Sequence, residues 1–388
     1  MRVWKPFLCL WMTIFVIQFF PSPTYASQPK KASPALSAAS AILIEAESGT
    51  VICEKNADLP LPMASTTKIM TALTALSLCS PDTPLCVHPD AVGVEGSSIY
   101  LVENEILTLE ELLYALLLES ANDAALAIAI GISGSVEAFA DEMNRIAAEL
   151  GLQSTHFTNP HGLDDTEHYT TARELAIITQ EALRVPLFRT LVATKKTTIS
   201  HPSEGSARLL INHNKLLRLY DGCIGVKTGY TTRSGRCLVS AAERDGVTLI
   251  AVTLRAPDDW ADHTALLDYG FSLYHSILLC EKDAFQMPLP LISGTESYVM
   301  VTNPEALRVT LPRSAGKITH RIELPRFEYA PIDTGSCEGR VLFFCDTDGD
   351  GKAEIIGEVA LSSCYAIPKK VEKRSFLQWL ISLFSFFK

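Results

Sequence analysis

No two cysteines in this chain are spaced C-x-x-C, and no cysteines and histidines cluster at zinc-ligand spacing, so no metal site of that kind is expected. There is no G-x-S-x-G, which removes the nucleophile elbow that a Ser-His-Asp hydrolase needs. His156, His161 and His168, beside Asp164 and Asp165, therefore read as structural loop residues rather than as part of such a triad. Positive charge is in deficit: 33 Lys and Arg stand against 44 Asp and Glu, a net charge of −11. That argues against a nucleic-acid partner and against a broadly basic membrane-binding face. The two strongly apolar runs, at 7–20 and 376–387, are both shorter than the ~20 residues of a membrane-spanning helix.

What is present starts with length: 388 residues are enough for two or three domains with their own cores. Residues 1–26 read as an export signal, with Arg2 and Lys5, then the apolar run, then Thr24-Tyr25-Ala26 as a small-x-small cleavage site. Residues 27–37 are a Ser-, Pro- and Lys-rich arm. Of ten cysteines, nine follow the signal; Cys79 and Cys86 bracket a short loop, and Cys337, Cys345 and Cys364 crowd the C-terminal region. An odd number leaves at least one thiol over, and the spacing leaves the pairing open.

Periodicity organises the middle. Apolar runs at 41–45 and 50–54 flank Glu47-Ser48-Gly49, a hairpin signal. Thr108-Leu109-Glu110-Glu111 and Thr171-Ala172-Arg173-Glu174 are capping boxes that open helices. Ser135 is placed to cap a third helix, which Gly151 ends. Strand-like segments follow at 224–229, 236–243 and 247–254, the last two joined at Arg244-Asp245-Gly246, and 261–276 reads as a helix. Strands, then helices, then strands imply an α+β domain over 38–280: an antiparallel sheet built from both ends of the segment, flanked by helices, with an all-helical insert. Residues 283–366 read as a small all-β domain. Within it, Asp346-Thr347-Asp348-Gly349-Asp350-Gly351 starts like a calcium loop, but the twelfth position is Gly357; an acidic hairpin tip between strands 340–345 and 353–361 is the better reading. Residues 369–388 put Lys369, Lys370, Lys373 and Arg374 before an aromatic-rich helix suited to lie in a membrane interface.

The chemistry centres on Ser65 and Lys68. At a spacing of three on a helix, their side chains share one face. Ile69, Met70, Leu73 and Leu76 bury that helix, and a buried lysine kept neutral can take a serine's proton. Another S-x-x-K, Ser27/Lys30, lies in the polar arm with no helical pattern. Ser120-Ala121-Asn122 interrupts the apolar helical insert, and Lys227-Thr228-Gly229 lies on a strand; each motif occurs once.

S-x-x-K, S-x-N and K-T-G, in that order, resemble the penicillin-recognising serine enzymes. Over about 35–280 the chain is similar to the low-molecular-mass D,D-carboxypeptidases, peptidase family S11. The resemblance extends through Thr155-His156-Phe157-Thr158-Asn159-Pro160-His161-Gly162, His168-Tyr169-Thr170-Thr171-Ala172-Arg173, Asn212-His213-Asn214 and Asp268-Tyr269-Gly270-Phe271. It implies the penicillin-binding/β-lactamase-like fold and hydrolysis of the last D-alanine of peptidoglycan stem peptides through an acyl-Ser65, with penicillin as covalent inhibitor and no cofactor. Ser65 would be the nucleophile, Lys68 its base and Ser120 a proton relay, though by its position alone Ser120 reads equally as a helix cap. Asn122, Lys227, Thr228 and Gly229 would bind substrate, with an oxyanion hole at the N–H groups of Ser65 and Tyr230. Export and the tail would put the enzyme on the outer face of the cytoplasmic membrane. A class A β-lactamase would need a deacylating glutamate in an E-x-x-L-N-like segment after the second motif, and none follows Ser120. A non-catalytic wall-binding protein would not need all three motifs intact.

Overall fold

Six consecutive residues, Ser40–Glu45, are buried on both faces, as a central strand requires. The computed structural model describes residues 32–202 and 206–371; the expected export signal, the start of the arm and residues 372–388 of the expected interfacial helix lie outside them. That first strand, β1, turns at Gly49 into β2 (Val51–Lys55), where the Glu45 carboxylate accepts the Ser48 N–H and hydroxyl. A 3-10 turn (Ala64–Thr67) then feeds α1 (Lys68–Leu78). The short ribbon β3 (Pro84–Cys86) and β4 (Ile106–Thr108) precedes α2 (Leu109–Tyr114), which opens with both halves of the capping box in place. A π turn (Ala115–Glu119) widens that helix before Ser120 stops it. Next come α3 (Asn122–Ser133) and α4 (Val136–Glu149), the latter capped by Ser135 as expected.

The chain continues through α5 (Ala172–Leu183), α6 (Pro186–Ala193), a ribbon of β5 (Lys196–Ser200) and β6 (Ala207–Ile211), and α7 (Leu216–Leu219). It then returns to the sheet as β7 (Cys223–Thr231), β8 (Gly235–Arg244) and β9 (Val247–Leu254), and crosses it as α8 (Asp259–Leu273). The sheet order is β2-β1-β9-β8-β7, antiparallel throughout, so β1 pairs with β9 rather than with its neighbours in sequence alone. One face packs on the helical insert through Ile42, Ile44, Val239 and Ile250. The other packs under α8 through Leu43, Leu249, Leu266 and Tyr269. A Cβ on Gly270 would stand 2.6 Å from a Leu249 methyl, so only glycine lets α8 lie this close to the sheet.

The C-terminal part is all β: β10 (Tyr274–Cys280), β11 (Gln286–Ile292), β12 (Tyr298–Thr302), β13 (Leu307–Pro312), β14 (Thr319–Glu323), β15 (Glu328–Tyr329), β16 (Cys337–Cys345) and β17 (Glu354–Ser363). Strands β10 and β13 form a two-stranded ribbon; the rest run β14-β16-β17-β12-β11-β15 around a core of Leu289, Val301, Val341, Phe343 and Leu361.

Several local expectations are corrected. The helix expected at 261–276 ends at Leu273, because the apolar residues after it pair with β13, from Tyr274↔Pro312 onward. Thr171 does accept the Glu174 N–H, but Glu174 does not close the box: its carboxylate takes the N–H groups of Gln153 and Ser154 and the hydroxyl of Thr155. The ribbon β5–β6 was not expected; its pairing is a local hairpin, but the ion pair from Arg208 to Glu105 (2.5 Å) that fastens it lies 103 residues away in sequence. All nine cysteines of the described residues are free thiols, Cys79 and Cys86 included. The acidic tip lies between β16 and β17 as expected, and Asp346 accepts the N–H groups of Gly349 and Gly351.

Candidate active site

Ser65 sits in the 3-10 turn that leads into α1, and Lys68 is the first residue of the helix proper. Entry to that turn is tight: Ala64 has φ +49, a conformation alanine rarely adopts. The loop around Gly162 holds it. A Cβ on Gly162 (φ +86) would fall 2.0 Å from the Ala64 carbonyl oxygen, and Thr67 Oγ1 donates to that same oxygen at 2.8 Å. His168 braces Thr67 from behind (Nε2 to Oγ1, 2.8 Å), and the Thr158 N–H donates to its Nδ1 at 3.1 Å. Burial pushes His168 down to about 4 and His161 to about 3, so both rings are neutral near pH 7, which fits packing rather than acid–base work.

Lys68 is fully buried, a rare place for a lysine without a carboxylate partner. Its Nζ lies 2.9 Å from Ser65 Oγ, 2.7 Å from Asn122 Oδ1 and 2.6 Å from the backbone oxygen of His161. An ammonium would spend three protons on these three oxygens. A neutral amine has two, enough for the amide and carbonyl oxygens, which accept only; its lone pair then faces the one neighbour that can donate, the Ser65 hydroxyl. Burial holds the Lys68 amine well below the usual lysine range, the charge of Lys227 lowers it further, and Asp123 opposes them.

Ser120 and Asn122 come from the end of the π turn and the start of α3. Ser120 does not cap α3: it takes the left-handed conformation (φ +61), Ala121 is the N-cap, and no side-chain cap is made. Asn122 Oδ1 holds Lys68, while its Nδ2 donates to the Glu95 carbonyl (2.7 Å) and its backbone N–H to the Ser97 carbonyl (2.7 Å). Asp123 is buried; its carboxylate accepts the Ser98 hydroxyl (2.6 Å) and the N–H groups of Ile99 and Leu101 (3.2 and 3.0 Å). Residues 95–101 are thereby fastened to the start of α3, and Tyr100 is left 85% exposed with φ +57.

The third motif lies on β7, the edge strand of the sheet beside the serine turn. A Cβ on Gly229 would meet Ser65 N, Thr66 N and Met63 O, each at 3.1 Å, so a glycine lets the strand close on the turn. Lys227 is buried, its Nζ donates to the Thr228 carbonyl at 2.9 Å, and burial lowers it to about 7. Tyr230 is 67% exposed. Thr231 Oγ1 reaches Asp164 Oδ1 at 2.9 Å, tying the strand end to the 158–168 loop.

All three motifs thus converge: Asn122 binds the Lys68 amine, the charge of Lys227 acts on it, and Gly229 closes on the Ser65 backbone. Sequence reasoning missed the His161 carbonyl, which binds through backbone, and Asp123, which follows Asn122 and has the unbroken apolar run of α3 after it.

The family model for D-alanyl-D-alanine carboxypeptidase, peptidase S11, matches residues 26–258. The carboxypeptidase DacF of Bacillus subtilis is 30% identical over 379 residues, 95% of this chain and 94% of that protein. DacA of Escherichia coli K12 is 32% identical over 338 residues, 81% of each. Among solved structures, penicillin binding protein 5 from Haemophilus influenzae has a TM-score of 0.66 and 26% identity over 87% of this chain and 99% of that one. The Streptomyces K15 DD-transpeptidase has a TM-score of 0.60 and 34% identity over 62% of this chain and all of that one. Fold and relatives together define a serine peptidase. The chain belongs to the S11 family of D-alanyl-D-alanine carboxypeptidases.

Proposed function

We propose that this enzyme removes the terminal D-alanine from peptidoglycan stem peptides through an acyl-Ser65 intermediate. The observation that carries the proposal is the fully buried Lys68 amine at 2.9 Å from Ser65 Oγ, with two non-donating oxygens occupying its other hydrogen-bond sites. Ser65 Oγ attacks the carbonyl carbon of the penultimate D-alanine as its proton passes to Lys68 Nζ. The N–H groups of Ser65 and Tyr230 receive the oxyanion; losing one such donor costs about 10²–10³ in rate. Collapse breaks the C–N bond, and the Lys68 proton reaches the leaving amine through Ser120. Water, activated in turn by Lys68, hydrolyses the ester. Lys227 and Thr228 hold the terminal carboxylate, which restricts the site to free C-termini. Asn122, with its side-chain amide bonded at both ends, acts mainly by fixing Lys68 and lines the substrate path beside it.

In the same reading residues 1–26 direct export, 38–280 carry the catalytic unit, with 274–280 pairing into the β domain that 283–366 complete, and 369–388 attach the enzyme to the outer face of the cytoplasmic membrane. Benzylpenicillin tests the chemistry: intact-mass measurement is expected to show one penicilloyl group, mapping to the peptide that contains Ser65. No adduct, or an adduct elsewhere, would remove the proposal. A model pentapeptide should lose one alanine, whereas rapid penicillin turnover would favour a β-lactamase.

The pH profile follows from the two lysines. Lys68 must be neutral to act as base and Lys227 charged to hold a carboxylate. kcat/KM is therefore expected to fall in acid as Lys68 protonates and to fall in alkali as Lys227, near 7 in the free enzyme, loses its proton. Lys227→Arg, whose guanidinium stays charged, should move the alkaline limb upward and leave the acid limb in place. An unmoved alkaline limb would assign it to another group.

A further inference from the structure

On a strand with one face in a core, the other face is ordinarily polar. The outer face of β11, β12 and β15 keeps this polarity at the Gln286–Thr302 pair but loses it toward β15. While Leu289, Leu291, Val299 and Val301 fill the core, Pro288, Pro290 and Ile292 point outward on β11 and are exposed. Register sets Tyr298 opposite Pro290 and Tyr329 opposite Ile292. Phe327 packs edge-on against Tyr329 at 5.7 Å between centroids, and the two rings remain 45% and 61% exposed. The result is one contiguous apolar face on an edge of the β domain.

Two further observations say what covers it. The chain leaves the described structure at this same edge: the Lys370 N–H donates to the Ser293 carbonyl (2.7 Å), Lys369 bridges to Gly294, and Val371 beyond them is 84% exposed. The face is also rimmed by cations, Arg326, Lys369 and Lys370, against Glu296 and a half-buried Glu328, in a chain whose overall charge is −11. Lys373 and Arg374 follow Glu372, and then the aromatic-rich stretch 376–387. Aromatic rings with a basic rim are the composition of a membrane–water interface.

We propose that the outer face of the β11–β12–β15 ribbon is a second membrane-contact surface, which seats Pro290, Ile292, Tyr298, Phe327 and Tyr329 among anionic lipid headgroups beside the C-terminal segment. This rests on the reading of 369–388 as an interfacial segment. One attachment does not set the orientation of a body on a surface; a second contact fixes which way the Ser65 site faces.

The test uses the full chain and vesicles of phosphatidylglycerol mixed with phosphatidylethanolamine. The triple variant Ile292→Ser/Phe327→Ser/Tyr329→Ser is expected to bind the vesicles roughly tenfold or more weakly than wild type. A chain ending at Val371 should bind weakly but measurably, and the triple change in that shorter chain should abolish the remainder. Full-chain triple variant binding like wild type overturns this proposal and leaves the tail reading standing. No binding by wild-type full chain overturns both. Tyr329→Trp guards against a folding defect in the triple variant: its added emission should be quenched by lipids brominated in the upper acyl chain, and unquenched emission on bound protein counts against the proposal.

Discussion

Lys68→Ala is expected to lower the rate of Ser65 acylation by about 10²–10⁴, the range for loss of a positioned general base. Burst-phase acylation by benzylpenicillin, rather than steady-state turnover, is the measurement, because it isolates the step in which the hydroxyl loses its proton. Asn122 Oδ1 and the His161 carbonyl would lose their donor in this variant, so some stability is expected to go with the activity. The stability change does not explain the rate, and the double variant Ser65→Ala/Lys68→Ala separates the two. If the pair acts as a unit, adding Lys68→Ala to Ser65→Ala costs no further activity, while the stability loss persists. A Lys68→Ala enzyme that acylates within tenfold of wild type would mean that another group takes the proton.

The second large effect falls on a residue that does no chemistry. Gly162→Ala would set a methyl 2.0 Å from the Ala64 carbonyl oxygen, on backbone already at φ +86. The two nearest atoms are main chain and the third is Thr67 Oγ1 at 2.8 Å, so relieving the clash means parting the Gly162 loop from the Ala64–Thr67 turn, which displaces Ser65 from Lys68 and the His161 carbonyl. A loss of about 2–4 kcal/mol in stability is expected, together with near-complete loss of acylation. Gly151→Ala is the control: it has a similar φ of +76 but nothing within 4 Å of the added carbon. It should cost only the conformational strain, about 1 kcal/mol, and leave acylation unchanged. Equal effects of the two substitutions in chemical denaturation would show that strain, not contact, dominates at Gly162.

These contrasts explain what was legible in the sequence. Features set within a few residues could be read: the Ser65/Lys68 spacing, the Thr108 capping box, the Ser135 cap and the hairpin at 244–246 all depend on local geometry. The α+β plan was legible too, since it needs only the order of periodic segments. Features set by distant partners could not be read. Tyr274 onward has the composition of a helix continuation and becomes a strand because β13 is there to pair with it. Glu174 has the right position for a capping box, yet three donors at Gln153, Ser154 and Thr155 occupy its carboxylate. The His161 carbonyl carries no side-chain signature at all. The resemblance pointed to the 156–162 segment without saying that its backbone is what touches Lys68.

Strand β1 is flanked by β2 on one side and β9 on the other, so residues 40–45 find their second partner only at 249–254. A chain made from its first residue onward therefore emerges for more than half its length with a central strand lacking one neighbour. Closing so long a loop is entropically slow. Until it closes, β8 and β7 have no scaffold, Gly229 cannot press on the Ser65 amide, and the serine is an ordinary hydroxyl. Reactivity thus arrives late in the life of the nascent chain, only once the segments before and after the helical insert have met.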